Sequence, residues 1–467
     1  MTTIEQDAVA ALAEDFGGQL MQPDATGYDE ARSIYNAMID RQPALVVRPT
    51  GVADVIAAVN YARERQLPVA VRGGAHSVAG HSTCDDGVLL DLSLLKGVHV
   101  DAARGTARAA GGVQWGEYDR ETQAFGLHTP GGRVTTTGVG GFTLGGGYGW
   151  TSPKFGLTCD NLVSADVVTA EGQLVTASET QNEDLFWGLR GGGGNFGVVT
   201  SFEYRTHSLG PIILGGLLLF PLEQAEEAMA AYADIVADAP DELGTAAAML
   251  TAPPEEFVPQ ELHGKPALGF LVSYAGDPAE GAKVVAPLKA VGPAVDLVGP
   301  MPYRALQAII DPMAQPGFRN YWRGLHLTGL NEDVVETFLR FPTEGLSPLS
   351  FLILFQHGGA VARVPDDATA FSHREATFMA HPIGCWESPA DDERHLAWVN
   401  EVTDAFEPFR TGGIYLNFTP DSGEDVVRAG FSSGKYERLA ALKAEYDPDN
   451  MFRFNQNIAP MPVGAGA

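Results

Sequence analysis

A histidine set among glycines, in the run VRGGAHSVAGHS from Val71 to Ser82, is the first place where this chain could do chemistry. Gly73 and Gly74 follow a strand-like segment and let the backbone approach a ligand closely, with His76 presented from the turn-rich loop beyond them. A second concentration of glycine runs from Gly111 to Gly149 through GGVQWGEY, TPGGRVTTTGVGG and LGGGYGW. Apolar and aromatic residues between the glycines separate it from a low-complexity linker. Successive backbone N–H groups in such a stretch form anion nests, so it could hold a pyrophosphate with few cationic side chains; tight turns between short strands are the plainer alternative. A third pattern, Gly192, Gly194 and Gly197, spells GxGxxG. It runs into VVTSFEYR, which alternates like a strand, whereas the dinucleotide motif must open a helix.

The elements that position these residues can be read around them. Residues 45–72 form a βαβ pattern: a strand near Leu45–Val47, a cap at Thr50, a helix with Val52, Val55, Ile56 and Val59 at helical spacing, and a strand at Val69–Arg72. The strand VLLDL follows the histidine loop. Beyond residue 208, acidic helix-like stretches (LEQAEEAMAAYADIVADA, DDERHLAWVNEVTDAFEPF) alternate with strand-like runs (ALGFLVSYAG, LSFLILFQHGGAV), the pattern of a sheet covered by helices. The segment AEYDPDNMFRFNQNIAP returns to turns and polar residues.

Bulk properties exclude several classes. The 467 residues, 45% of them hydrophobic, suffice for two domains with cores of their own. A net charge of −29, from 59 acidic and 30 basic residues, argues against nucleic acid and weakly against anionic substrates. No basic leader followed by an apolar stretch opens the chain, and the run Ile212–Phe220 falls short of the roughly 20 residues that span a bilayer, so a soluble cytoplasmic protein without membrane contact is expected. Cys84, Cys159 and Cys385 have neither disulfide-framework nor metal-ligand spacing, so no metal is expected. Oligomeric state cannot be read.

The loop Val71–Ser82 resembles the flavin-attachment loop of FAD-linked oxidases of the vanillyl-alcohol oxidase and para-cresol methylhydroxylase type, in particular the berberine bridge enzyme-like subgroup. Segments 132–162, 184–204 and 446–458 resemble the same subgroup in the same order. The resemblance implies an α+β protein with an FAD-binding domain over 1–207, a substrate-binding domain over 208–419, and a C-terminal return to the first domain over 420–467. It places Arg72, Gly73, Gly74, Ala75, His76 and Ser77 around the FAD pyrophosphate, with His76 bonded to the flavin 8α-carbon. Gly138, Gly140, Gly141, Gly145, Gly146 and Gly147 would line the flavin and its diphosphate, and Val198 or its neighbours would meet the adenosine. Asn455 and Asn457 would close over the flavin, with Asn417 a neighbour or further contact, and Tyr415 takes the place of an active-site tyrosine. Members with two covalent links carry a cysteine where this chain has Val134, so a single histidyl link is implied. Thr137 stands where the subgroup influences oxygen access.

These residues would take a hydride from a small alcohol, sugar or amine to flavin N5, with the protein supplying orientation and a proton acceptor. Tyr415 is the candidate acceptor and needs help from neighbours, because a tyrosine near its ordinary pKa of about 10 is a poor base at pH 7. Tyr148 is a secondary candidate for lining the pocket, while His326, His357 and His381 read as structural. Dioxygen is the expected electron acceptor. A dehydrogenase with another acceptor, or a flavin-binding protein without turnover, remain the alternatives.

Overall fold

The computed structural model describes residues 6–432 and 434–461. Leu45–Arg48, Val88–Asp91 and Val69–Arg72 are parallel strands, with Gln19–Met21 antiparallel on the outer edge. Parallel neighbours need a crossover, and the helix Val52–Glu64 supplies it, burying Val55, Ala58, Val59 and Ala62 against the sheet. The expected βαβ pattern is therefore present, but Val88–Asp91 lies between its two strands. The helix start differs from expectation too. Gly51 is the cap residue, and the carboxylate of Asp54 accepts from the backbone N–H of Thr50 at 2.8 Å and of Gly51 at 3.3 Å, while the Thr50 hydroxyl donates to the same carboxylate at 3.0 Å instead of capping the helix.

A five-stranded antiparallel sheet follows, in the order Val98–Asp101, Thr106–Ala110, Val198–Arg205, Leu162–Val168, Leu174–Ser178. The GxGxxG glycines lead directly into its central strand, as the alternation of VVTSFEYR requires.

Beyond residue 211 the chain builds a ten-stranded antiparallel sheet whose strands include Ile212–Pro221, Pro266–Tyr274, Leu243–Thr251, Phe351–Gln356 and Phe378–Trp386 as successive neighbours. Side chains alternate across it. Leu352, Leu354, Met249 and Phe270 face the helices Ala225–Ala237, Pro278–Ala290, Glu332–Leu339 and Asp392–Phe406, forming one core with them. Ile353, Phe355, Ala248 and Leu271 point the other way, toward Tyr148, Trp150 and Tyr415. Having one face for its own helices and one for the rest of the molecule, this sheet can wall a cavity.

The C-terminal helix Lys435–Tyr446 packs Leu439, Ala440 and Leu442 against Leu185, Phe186 and Phe196 of the first half. Its fully buried Lys443 donates to Asp447 at 2.6 Å, to the Asn195 carbonyl at 2.8 Å and to the Phe452 carbonyl at 2.9 Å. Three acceptors satisfy all three ammonium protons, which is the condition for burying such a charge.

Candidate active site

Between the glycine-rich loops and the inner face of the large sheet runs a cavity enclosing about 2320 Å³ of empty space out to its mouth. One wall is almost all backbone. Gly73, Gly74, Gly111, Gly138, Gly140, Gly141 and Gly145 line it, with Gly193, Gly194 and Gly197 further along. The loops fit together only as glycine: a Cβ on Gly74 would stand 2.2 Å from the Gly138 nitrogen, and one on Gly138 would stand 2.2 Å from the Gly74 nitrogen. A Cβ on Gly141 or Gly194 would meet no protein atom, so at these two wall positions a side chain would project into open space.

His76 also lines the cavity, following Ala75, whose φ is +61°. Its ring stacks on Tyr35 with centroids 4.4 Å apart and its Nε2 is 2.8 Å from Thr136 Oγ1, which leaves Nδ1 as the nitrogen without a protein partner. The surface it keeps opens on the cavity instead of bulk solvent, so burial still lowers its pKa to about 4 and the ring is neutral at pH 7.

Of the other expected residues, Ala75, Ser77, Thr137, Asn417 and Asn455 line the cavity, as does Val134. Arg72, Gly146, Gly147, Val198, Asn457 and Tyr415 lie behind the wall. Of Val198 and its neighbours, the neighbours face the cavity: strand residues alternate, so the Val198 side chain enters the core while Gly197 and Val199 reach the cavity. Arg72 pins the start of the histidine loop by donating to the Ala31 carbonyl and facing Asp91 at 3.7 Å. Gly146 and Gly147 have φ of +108° and +90°, and their Cβ directions are occupied by Phe371 and Thr158.

Tyr415 is buried, its hydroxyl accepting from the Gly147 N–H at 3.2 Å and from Asn417 Nδ2 at 3.1 Å. Those bonds stabilise a phenolate, but burial outweighs them and raises its pKa to about 12. Tyr148, 5.3 Å from Tyr415 between ring centroids, does line the cavity, and its buried hydroxyl has no partner.

Other cavity residues lie inside the motif runs without being singled out there. His81 and Gln456 line it and bond to each other, while Ser82 Oγ and Asn455 Oδ1 are buried on the same wall without partners. Orphaned donors and acceptors clustered on one wall fit a polar ligand that completes them. His381, read as structural from the sequence, also lines it. Its Nδ1 donates to the Arg323 carbonyl, 2.7 Å away, and burial lowers its pKa to about 3, leaving a neutral ring with Nε2 as acceptor. The GxGxxG run had a signal, discounted for its missing helix; its Gly194 and Gly197 reach the cavity from a strand-entry loop.

A glycine-backed cavity closed by a helix-covered antiparallel sheet defines a class of flavin-dependent oxidoreductases. Residues 43–178 match the family of FAD binding domains, and residues 414–459 match the family described as berberine and berberine like. An FAD-linked oxidoreductase of Dictyostelium discoideum is 33% identical over 437 residues, 91% of each chain. The chain belongs to the FAD-linked oxidoreductases of the berberine bridge enzyme-like family. The (R)-6-hydroxynicotine oxidase of Paenarthrobacter nicotinovorans is 28% identical over 457 residues, 95% of this chain and 97% of that one. The crystal structure of 6-hydroxy-D-nicotine oxidase from Arthrobacter nicotinovorans superimposes with a TM-score of 0.86 at 27% identity, covering 96% of this chain and 98% of that one. No helix among the described residues is long and apolar enough to cross a membrane.

Proposed function

We propose that this chain is an oxidase of a small alcohol, sugar or amine that carries its FAD on His76 through one covalent bond and passes the electrons to dioxygen, releasing hydrogen peroxide. FAD, when bound, supplies the hydride acceptor. The observation that carries the reading is the His76 imidazole on the cavity wall, neutral, clamped between Tyr35 and Thr136, with Nδ1 as its unpartnered nitrogen. A neutral nitrogen with its lone pair toward the cavity is the state needed for bond formation. Val134, on the same wall, offers no nucleophile, so one bond is expected.

The glycine loops from Gly73–Gly74 and Gly138–Gly141 would hold the diphosphate through backbone N–H groups, and Asn455 and Ser82 would complete their hydrogen bonds on the cofactor. Residues 1–207 and 420–467 thus serve the cofactor and 208–419 the substrate. Tyr415 would accept the substrate proton, and Tyr148, whose side chain lines the cavity 5.3 Å from it between ring centroids, would help position the substrate. The Gly147 amide, Asn417 and the nearby Arg133 cation all favour the ionised form of Tyr415. Denaturation in acid tests the central claim. The precipitated protein should stay yellow, with the flavin on the peptide containing His76; flavin released into the supernatant would refute the bond. Peroxide formation with equimolar oxygen consumption tests the acceptor.

A further inference from the structure

Five cationic side chains are buried among the described residues: Arg72, Arg133, Arg374, Lys435 and Lys443. Four face a carboxylate, with Arg72 3.7 Å from Asp91, Arg374 2.6 Å from Asp160, Lys435 2.9 Å from Asp366 and Lys443 2.6 Å from Asp447. Arg133 alone has none, in a chain with 59 acidic residues. It is 7% exposed and lines the cavity. Its Nε has no partner and its Nη2 reaches the Gly149 carbonyl only at 3.4 Å.

Aromatic faces hold the guanidinium instead: its carbon is 3.8 Å from the Phe355 ring centre and 5.0 Å from that of Trp150. Cation–π contacts offset only part of what it costs to bury an unpaired cation. Burial lowers its pKa to about 9, so it is still charged at pH 7. The imbalance is removed by a negative charge arriving from the cavity. Around it, Phe351, Ile353, Phe355, Trp322 and Phe418 make apolar and aromatic walls, and His381 adds one neutral acceptor. A slot of this kind takes a flat apolar body, one anionic group on the guanidinium fork and one hydroxyl or amine donor on His381.

We propose that the substrate is a flat, apolar monoanion, a carboxylate or an ionised phenol, whose charge is received by Arg133. This rests on the reading of the cavity as the oxidation site and narrows its substrate class, against the bias of the chain's overall negative charge. Local charge decides here, because a buried guanidinium acts at contact distance while exposed carboxylates are screened within about 8 Å at physiological salt.

Calorimetric titration of the purified holoprotein with 2-naphthoate, its neutral isostere 2-naphthamide, and 4-nitrophenolate at pH 8 tests it without turnover. The wild type should bind at least one anion roughly 10- to 100-fold tighter than the amide, the scale of a close buried charge pair. Whichever anion wins separates a carboxylate from an ionised phenol. Arg133→Gln should abolish the preference at unchanged flavin content, and Arg133→Lys should restore part of it. Equal binding of anions and amide by the wild type, absence of anion binding, or an undiminished preference in Arg133→Gln would overturn the proposal. Flavin retention after denaturation is scored separately, so a protein that keeps its flavin but prefers the amide refutes only the anion assignment.

Discussion

The two walls of the cavity are built by opposite means. The first is backbone: loops meet at Gly74 and Gly138 with no room for a Cβ, so almost any side chain there is a collision. The second is side chain: every other residue of an antiparallel sheet faces inward, and Ile353, Phe355 and His381 could each be exchanged without disturbing the ladder. A backbone wall suits a ligand that never changes, and a side-chain wall suits one that differs between relatives. The fold can thus keep its cofactor while its substrate drifts.

The sharpest way to break that comparison is at the loop contact. Gly74→Ala places a methyl against backbone that cannot rotate away, and should cost more than the ~1–3 kcal/mol of ordinary overpacking, giving a chain without bound flavin. A yellow, fully loaded Gly74→Ala protein would show that the loops part easily. Next in size, Tyr415→Phe should retain its flavin spectrum while flavin reduction in a stopped-flow instrument slows by roughly 10²-fold, the loss of a positioned proton acceptor. Unchanged kinetics would transfer the role to Tyr148.

His76→Ala should sharpen the cofactor side. The backbone contacts remain, so the variant should still bind FAD but release it on denaturation, with reduction slower by roughly one to two decades, each decade being about 1.4 kcal/mol of barrier. A colourless variant would mean that the imidazole shapes the loop itself and is needed before any flavin binds.

The smallest effect is expected at Asp119, behind both walls on the helix Trp115–Gln123. Its carboxyl is buried beside Gln307, and burial outweighs that side-chain bond and the attraction of Arg304, raising its pKa from 3.8 to about 8. Between those values the folded chain holds a proton that the unfolded chain has lost, so stability falls as pH rises across that window. Asp119→Asn should flatten the dependence of the unfolding midpoint on pH between 5 and 8 and be the more stable form at pH 8; a slope identical to wild type would place the titration elsewhere.

How far each wall was legible follows from the same contrast. Glycine clusters are visible in a sequence because they are required by position, and the wall residues Gly73, Gly74, Gly138, Gly140, Gly141 and Gly145 were all singled out with His76. The elements were legible where periodicity was strong, as in Val52–Glu64 and Val198–Arg205. Val198 could be named only together with its neighbours, because motif matching fixes a strand's place but not which of two faces a given residue takes. The substrate wall was hidden for a different reason. His381 and Trp322 come from separate strands, brought together by a sheet whose strand order no local pattern announces, and Arg133 reaches the same cavity from the glycine-rich segment. Arg133 sat in plain view within GGRVTTTG, and only its missing counter-ion, a fact of three dimensions, singles it out.

The C-terminal return has a consequence for folding. Asn455 and Gln456 complete the cavity by bonding to a loop 261 residues earlier, through Gly194 and Asn195. Contacts so distant in sequence form late and slowly. The same segment also fills the core of the first half with Leu439, Leu442, Phe452 and Ile458, so the last residues of the chain finish the packing and the cavity wall together.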